Sequence, residues 1–252
     1  MVKIAERAAT LSDPGHRTAC SQCNLQELCL PVGLSETELT VVDQLVGGRR
    51  KVARGQALFH SGEPFTAIYA VKLGFFKTEV LAADGRHQVT GFHMAGEVLG
   101  MDGISTETHN CDAIALEDSE VCLIPFSELE QISGQVPTLQ RHLHRVMSRE
   151  IVRDQGMMIM IGAMSAEERV VSFLLNLSQR YAARGYAATE FHLRMTREEI
   201  GAYLGLKLET VSRAFSRLQE EGLIAVEKKH IRLLDAPRLR QLLAQASASA
   251  CS

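Results

Sequence analysis

The chain lacks any long apolar run. Stretches such as Met157–Ile161 fall far short of the ~18 consecutive apolar residues that a membrane-spanning helix needs. Met1–His16 has no hydrophobic segment of the secretory kind, so a soluble cytoplasmic protein is expected. An excess of charge is also missing: 27 Lys and Arg stand against 30 Asp and Glu, for a net charge of −3. Affinity for a nucleic acid would therefore have to come from a local patch. No P-loop, dinucleotide fingerprint or nucleophile–base–orienter set is visible, which argues against an enzyme, including a redox enzyme using its cysteines catalytically. What is present is a hydrophobic fraction of 46% over 252 residues, enough for two modest domains or one large one and incompatible with general disorder.

Six cysteines in a cytoplasmic chain point to metal or redox chemistry, not to a disulfide framework. Three crowd together as Cys20, Cys23 and Cys29. They offer three soft thiolate ligands within one loop, and a fourth must come from elsewhere, with Cys111, Cys122 and Cys251 as candidates. Four thiolates suit structural zinc or an iron–sulfur cluster, and spacing alone leaves both open.

Along the chain the expected fold class is α+β. From about Leu34 to Phe126, glycine-punctuated segments such as Ala67–Lys72, Phe75–Leu81 and Gln88–His93 read as short strands, with Ala83-Asp84-Gly85 as a hairpin signal. Regular turn spacing predicts an antiparallel β-roll of the jelly type. Pro137 opens a long helix running to about Met164, with His144, Met147, Ile151, Asp154, Met158 and Ile161 in a 3-4-3-4-3 stripe. Such a stripe is either one face of a helix lying on its own domain or an interchain seam. Its heptad period and its position between dissimilar domains favour the seam. Asp154 would then face its symmetry mate, leaving a marginal dimer that is easily switched. Expected segments are 1–33 (N-terminal cysteine segment), 34–136 (β-roll sensor domain), 137–164 (dimerisation helix), 165–238 (winged helix-turn-helix) and 239–252 (an Ala- and Ser-rich tail).

The C-terminal part carries its own signature. Ser165–Arg184 reads as a helix, and Thr196–Glu199 is a capping box opening a second helix. Leu204-Gly205-Leu206 breaks that helix, and another follows from about Leu208 to Glu220. Leu223–Val226 and Ile231–Leu234 then form a hairpin wing. On the last helix Leu208, Val211, Phe215 and Leu218 would form the buried face. Glu209, Ser212 and Arg213 share the opposite face, where Arg213 suits guanine and Glu209 a cytosine amino group. Lys207, Arg217 and Arg197 are candidate phosphate anchors on double-stranded DNA. Solvated surface charge would explain any one of these residues, but not the coincidence of cap, turn, buried stripe and wing.

Four stretches resemble the Crp–Fnr regulators, and specifically their oxygen-responsive FNR type. They are Cys20–Leu30 (CSQCNLQELCL), Thr90–Gly100 (TGFHMAGEVLG), Val121–Phe126 (VCLIPF) and Glu209–Arg213 (ETVSR). The resemblance implies Cys122 as the fourth ligand and leaves Cys111 outside the set. It implies a [4Fe–4S] cluster that oxygen converts to [2Fe–2S], with loss of the homodimer and of DNA binding. It further implies a palindromic site near TTGAT-N4-ATCAA read by Glu209, Ser212 and Arg213, and contact with RNA polymerase through roll loops that include the turn around Asp84–His87. Asn24 and Leu28 are expected to tune access to the cluster. Gly96 and Glu97 match the start of the superfamily's cyclic-nucleotide cassette. The stretch from Ile104 to Asp112 has no arginine for a cyclic phosphate, however, so no such ligand is expected.

Overall fold

The computed structural model describes residues 20–82 and 85–249. After a turn-rich segment carrying the first three cysteines, helix α1 (Glu36–Leu45) begins at a capping box between Ser35 and Glu38. Such a cap contributes about 1 kcal/mol. The expectation of strands from about Leu34 is corrected here, since the strands begin only at Gly48. Eight then follow: β1 (Gly48–Val52), β2 (Ala57–Phe59), β3 (Ala67–Leu73), β4 (Phe75–Leu81), β5 (His87–Met94), β6 (Val98–Leu99), β7 (Asp112–Ala115) and β8 (Ser119–Pro125).

They pair antiparallel as two four-stranded sheets, ordered β1-β8-β3-β6 and β2-β7-β4-β5. Val52, Leu58, Phe76, Ala113 and Val121 fill the space between the sheets. Strand β3 is buried on both faces. Its Ala67, Tyr69 and Val71 belong to this inner core, while Ile68 and Ala70 face a second core built with α1 and the helices below. The β4–β5 hairpin is closed by Ala82 N–H donating to the Arg86 carbonyl at 2.8 Å; Ala83 and Asp84 lie outside the described residues.

Helix α2 (Phe126–Ser133) leads into α3 (Pro137–Ala163), a 27-residue helix about 40 Å long with Pro in its first turn. Gly156 sits within it without interrupting it. Next come α4 (Ala166–Ala182), β9 (Glu190–His192), α5 (Arg197–Leu204), α6 (Leu208–Glu220), β10 (Ile224–Glu227), β11 (His230–Leu233) and α7 (Ala236–Ser249). The wing is a three-stranded sheet, because β9 pairs with β11. The expected Ala- and Ser-rich tail is mostly helix α7, anchored by fully buried Leu239.

Roll and helix-turn-helix share one core. Phe75, Val89, Phe92 and Met94 cluster with Phe173, Leu174, Ile200 and Phe215, and the Phe92 ring lies 6.0 Å from Phe173 and 5.1 Å from Tyr203. Polar contacts reinforce this face. Glu97 receives Arg180 Nη2 and Arg184 Nη2, each at 2.6 Å, and Lys77 Nζ bridges Glu79 (2.8 Å) and Glu199 (3.2 Å).

Candidate metal centre and nucleic-acid interface

Tight turns wind the Cys20–Cys29 segment. Cys23 N–H donates to the Cys20 carbonyl at 3.1 Å, and Cys29 N–H to the Leu25 carbonyl at 3.0 Å. Two contacts seat it. Ser21 donates through N–H and Oγ to the Asp43 carboxylate on α1, at 3.2 and 2.9 Å. Leu28 packs against Gly96, where a Cβ would meet Leu28 Cβ at 2.8 Å on a backbone with φ +89°. Only glycine fits there on both counts. Cys122 comes from β8, an interior strand, between Arg49 of β1 and Ala70 of β3.

All four thiols, of Cys20, Cys23, Cys29 and Cys122, line one small cavity of about 40 Å³ with apolar walls that include Leu45, Ile124 and Leu139. Burial, reinforced by Asp43 and the neighbouring thiols, pushes Cys20 up to about 12. Burial pushes Cys29 up to about 12 as well. Cys122 is also raised by burial, with Lys72 and Arg49 pulling against it. Among the described residues, no group of three or more Cys, His, Asp or Glu side chains is placed to hold a metal ion as it stands. By its chemistry the donor set, four soft thiols around one small cavity, suits structural zinc or an iron–sulfur core. Cys111 is remote from this set, buried beside Asp102 Oδ2 at 3.4 Å, and Cys251 lies outside the described residues.

Leu139 and Leu143 fix the start of α3 in the cysteine-side core, with Leu139 in the cavity wall itself. Farther along the same helix, Met147, Ile151, Met158 and Ile161 are exposed, at 37, 57, 66 and 40%. Asp154 is exposed among them. The stripe therefore does not lie on its own domain. It is an apolar face open to solvent, interrupted by one carboxylate.

In the C-terminal domain the Thr196–Glu199 capping box is formed, with Thr196 N–H donating to Glu199 Oε2 at 2.7 Å and Glu199 N–H to Thr196 Oγ1 at 3.1 Å. Gly205 takes the left-handed conformation that turns the chain into α6. Val211, Ala214, Phe215 and Leu218 are buried, whereas Leu208, expected on that face, is 44% exposed because it stands in the first turn. Glu209, Ser212 and Arg213 project outward, and Lys207 sits at the N-cap without a side-chain cap bond. Two of the expected anchors are engaged within the chain. Arg217 pairs with Glu167 and Glu221, both at 3.1 Å. Arg197 stacks 3.2 Å over the Phe215 ring, and burial pulls its guanidinium down to about 10. Arg197 Nη1 is buried without a hydrogen-bond partner among the described residues.

Residues 49–135 match the cyclic nucleotide-binding domain family, and residues 168–242 match the Crp-like helix-turn-helix domain family. The chain is 50% identical over 228 residues to the "Transcriptional regulatory protein btr" of Bordetella pertussis, covering 90% of this chain and 94% of the relative. It is 46% identical to the "Transcriptional activator protein anr" of Pseudomonas aeruginosa (87 and 90% covered). It is 41% identical to the "Fumarate and nitrate reduction regulatory protein" of Yersinia pestis (90 and 91%). The chain belongs to the Crp–Fnr family of transcription regulators. Among solved structures it is similar to FixK2 from Bradyrhizobium japonicum, with a TM-score of 0.71 and 33% identity over 77% of this chain and 96% of that one. The expected α+β class, with an antiparallel roll and a C-terminal helix-turn-helix, is the fold observed.

In this Crp–Fnr regulator a cavity of about 430 Å³ lies between the roll and α3. Its ionisable lining is Asp102, Glu150, Asp154, His93, Cys111 and Arg153, and Arg153 is already paired with Glu150. Glu97, at the start of the cassette motif, is turned to Arg180 of α4 and to Arg184 just beyond its C-terminus. Neither that clamp nor the Lys77 bridge was foreseen from sequence. Glu97 and its two arginines, and Lys77 and Glu199, stand more than eighty positions apart, and no local pattern marks them.

Proposed function

We propose that this regulator senses oxygen through a [4Fe–4S] cluster held by Cys20, Cys23, Cys29 and Cys122. As a dimer with the cluster intact, it binds a palindromic site near TTGAT-N4-ATCAA. The carrying observation is the convergence of four thiols from two distant parts of the chain on one apolar cavity whose wall includes the dimer-helix residue Leu139. The names of the anr and fumarate–nitrate relatives support the same reading. When bound, the cluster supplies oxygen lability, which distinguishes it from structural zinc.

The rest is done by the chain. The cysteine loop, tied to α1 through Ser21 and seated on Gly96 through Leu28, presses on the cavity that the start of α3 closes. A change in how that loop sits bears directly on α3. Its exposed stripe of Met147, Ile151, Met158 and Ile161 is the surface a second copy would cover. Two Asp154 carboxylates would then repel across the seam and keep the dimer near its switching point. Arg213, Glu209 and Ser212 would read bases in the major groove, with Lys207 on phosphate. Arg217 and Arg197 would have to leave Glu221 and Phe215 to join it. The acidic lining of the roll cavity, with its one arginine already paired, disfavours a cyclic phosphate. The turn around Asp84–His87 remains the proposed RNA polymerase contact, in a cytoplasmic regulator.

Anaerobic purification tests the reading. A brown protein with iron and sulfide, bleaching in air, is expected. Cys122→Ser should abolish anaerobic DNA binding while Cys111→Ser preserves it. Colourless protein with stoichiometric zinc overturns the proposal.

A further inference from the structure

Lys72 stands at an irregularity in β3. The ladder with β8 runs Ala70 to Cys122 and Val71 to Val121, then jumps to Leu73 opposite Glu120, leaving Lys72 as the extra residue. Bulges of this kind re-aim a side chain. Here the half-buried lysine turns toward the side that Ile68 and Ala70 face, and its Nζ donates to Cys23 Sγ at 3.4 Å. Its charge also acts on Cys20 and Cys122. The other cation near Cys122, Arg49, is already neutralised by Glu120 at 3.0 Å. Lys72 has no carboxylate partner among the described residues and gives its hydrogen bond to sulfur. Four thiolates around an iron core make a net anion, and hydrogen bonds and charge near the sulfurs set the potential of such a group.

We propose that Lys72 is a positioning cation for the metal centre. Its ammonium, aimed by the β3 bulge at Cys23 Sγ, offsets the negative charge of the thiolate-bound cluster and so sets its reduction potential and its lifetime in air. This rests on the cluster reading above. Withdrawing the cation disfavours the more negative, reduced form, so electrons are lost more readily.

The test compares the anaerobically prepared full-length protein with K72M and K72R. It measures iron and sulfide per chain, the midpoint potential, and the decay of visible absorbance on adding air-saturated buffer. K72M should load normally, show a more negative potential, and bleach about fivefold faster, the scale of one charge-assisted contact. K72R, which keeps the charge, should stay close to the native protein. K72Q, run in parallel, repeats the test if K72M folds poorly. The inference is overturned by a loaded K72M with native potential and decay, by K72R behaving as K72M does, or by a natively folded K72M that takes up no iron. A native protein holding zinc and no iron overturns the underlying reading instead, and the metal analysis separates the two failures.

Discussion

His93 is buried, with Nε2 3.2 Å from Thr78 Oγ1 and Nδ1 without a partner among the described residues. Burial, aided by Arg153 and Arg180, lowers it from 6.5 to about 3. The unfolded chain therefore takes up a proton below pH 6.5 that the folded chain refuses until about pH 3. Stability contributed by the neutral ring is complete above 6.5 and drains away as the pH falls through that window. His93→Gln should flatten this acid limb, giving a smaller drop in urea midpoint between pH 7 and pH 4.5 than the native protein shows; an unchanged slope refutes the assignment. At this scale legibility in the sequence was uneven. Cys20, Cys23 and Cys29 announce themselves by spacing. Cys122 joins them only through antiparallel pairing in the sheet, which spacing does not encode, and was singled out by family resemblance. Arg197 looked like a surface anchor because nothing local reveals that it lies on Phe215.

Helix α3 shows what periodicity conveys and what it omits. Its span is marked by Pro137 and its stripe by the 3-4 repeat; Met147, Ile151 and Met158 of that stripe are exposed, as are Val152 and Ile159 beside it. The repeat did not reveal that Leu139 and Leu143 belong to the cysteine-side core, because that requires knowing what the helix packs on. Replacing Asp154 by Ala removes the carboxylate from an otherwise apolar face. Aerobic protein should then dimerise more tightly in sedimentation equilibrium, and an unchanged constant rejects repulsion as the brake. Elsewhere, α1 stands where the glycine punctuation suggests strand, although Ser35 followed by Glu38 carries the signal of a helix start. The wing's third strand, β9, has only three residues, too few for alternation to register.

At the scale of the whole molecule, the roll and the DNA-reading domain are joined by apolar rings and a carboxylate clamp. Burial pushes the Glu97 carboxyl upward, yet Arg180 and Arg184 hold it below the usual carboxylate range. Removing that charge leaves two partly buried guanidiniums unpaired, a loss of about 3 kcal/mol for a buried pair and less here because the arginines keep some water. Glu97→Gln should lower the melting temperature and split calorimetric unfolding into two transitions; a single unshifted peak would show that the aromatic contacts suffice.

Cys122 is stitched into an interior strand, whereas Cys20, Cys23 and Cys29 sit on a turn-rich segment outside the sheet. If these four thiols hold the proposed cluster, its loss would leave one sulfur as a fixed post. Rebuilding it would then ask the other three to return to that post, without first unmaking the sheet.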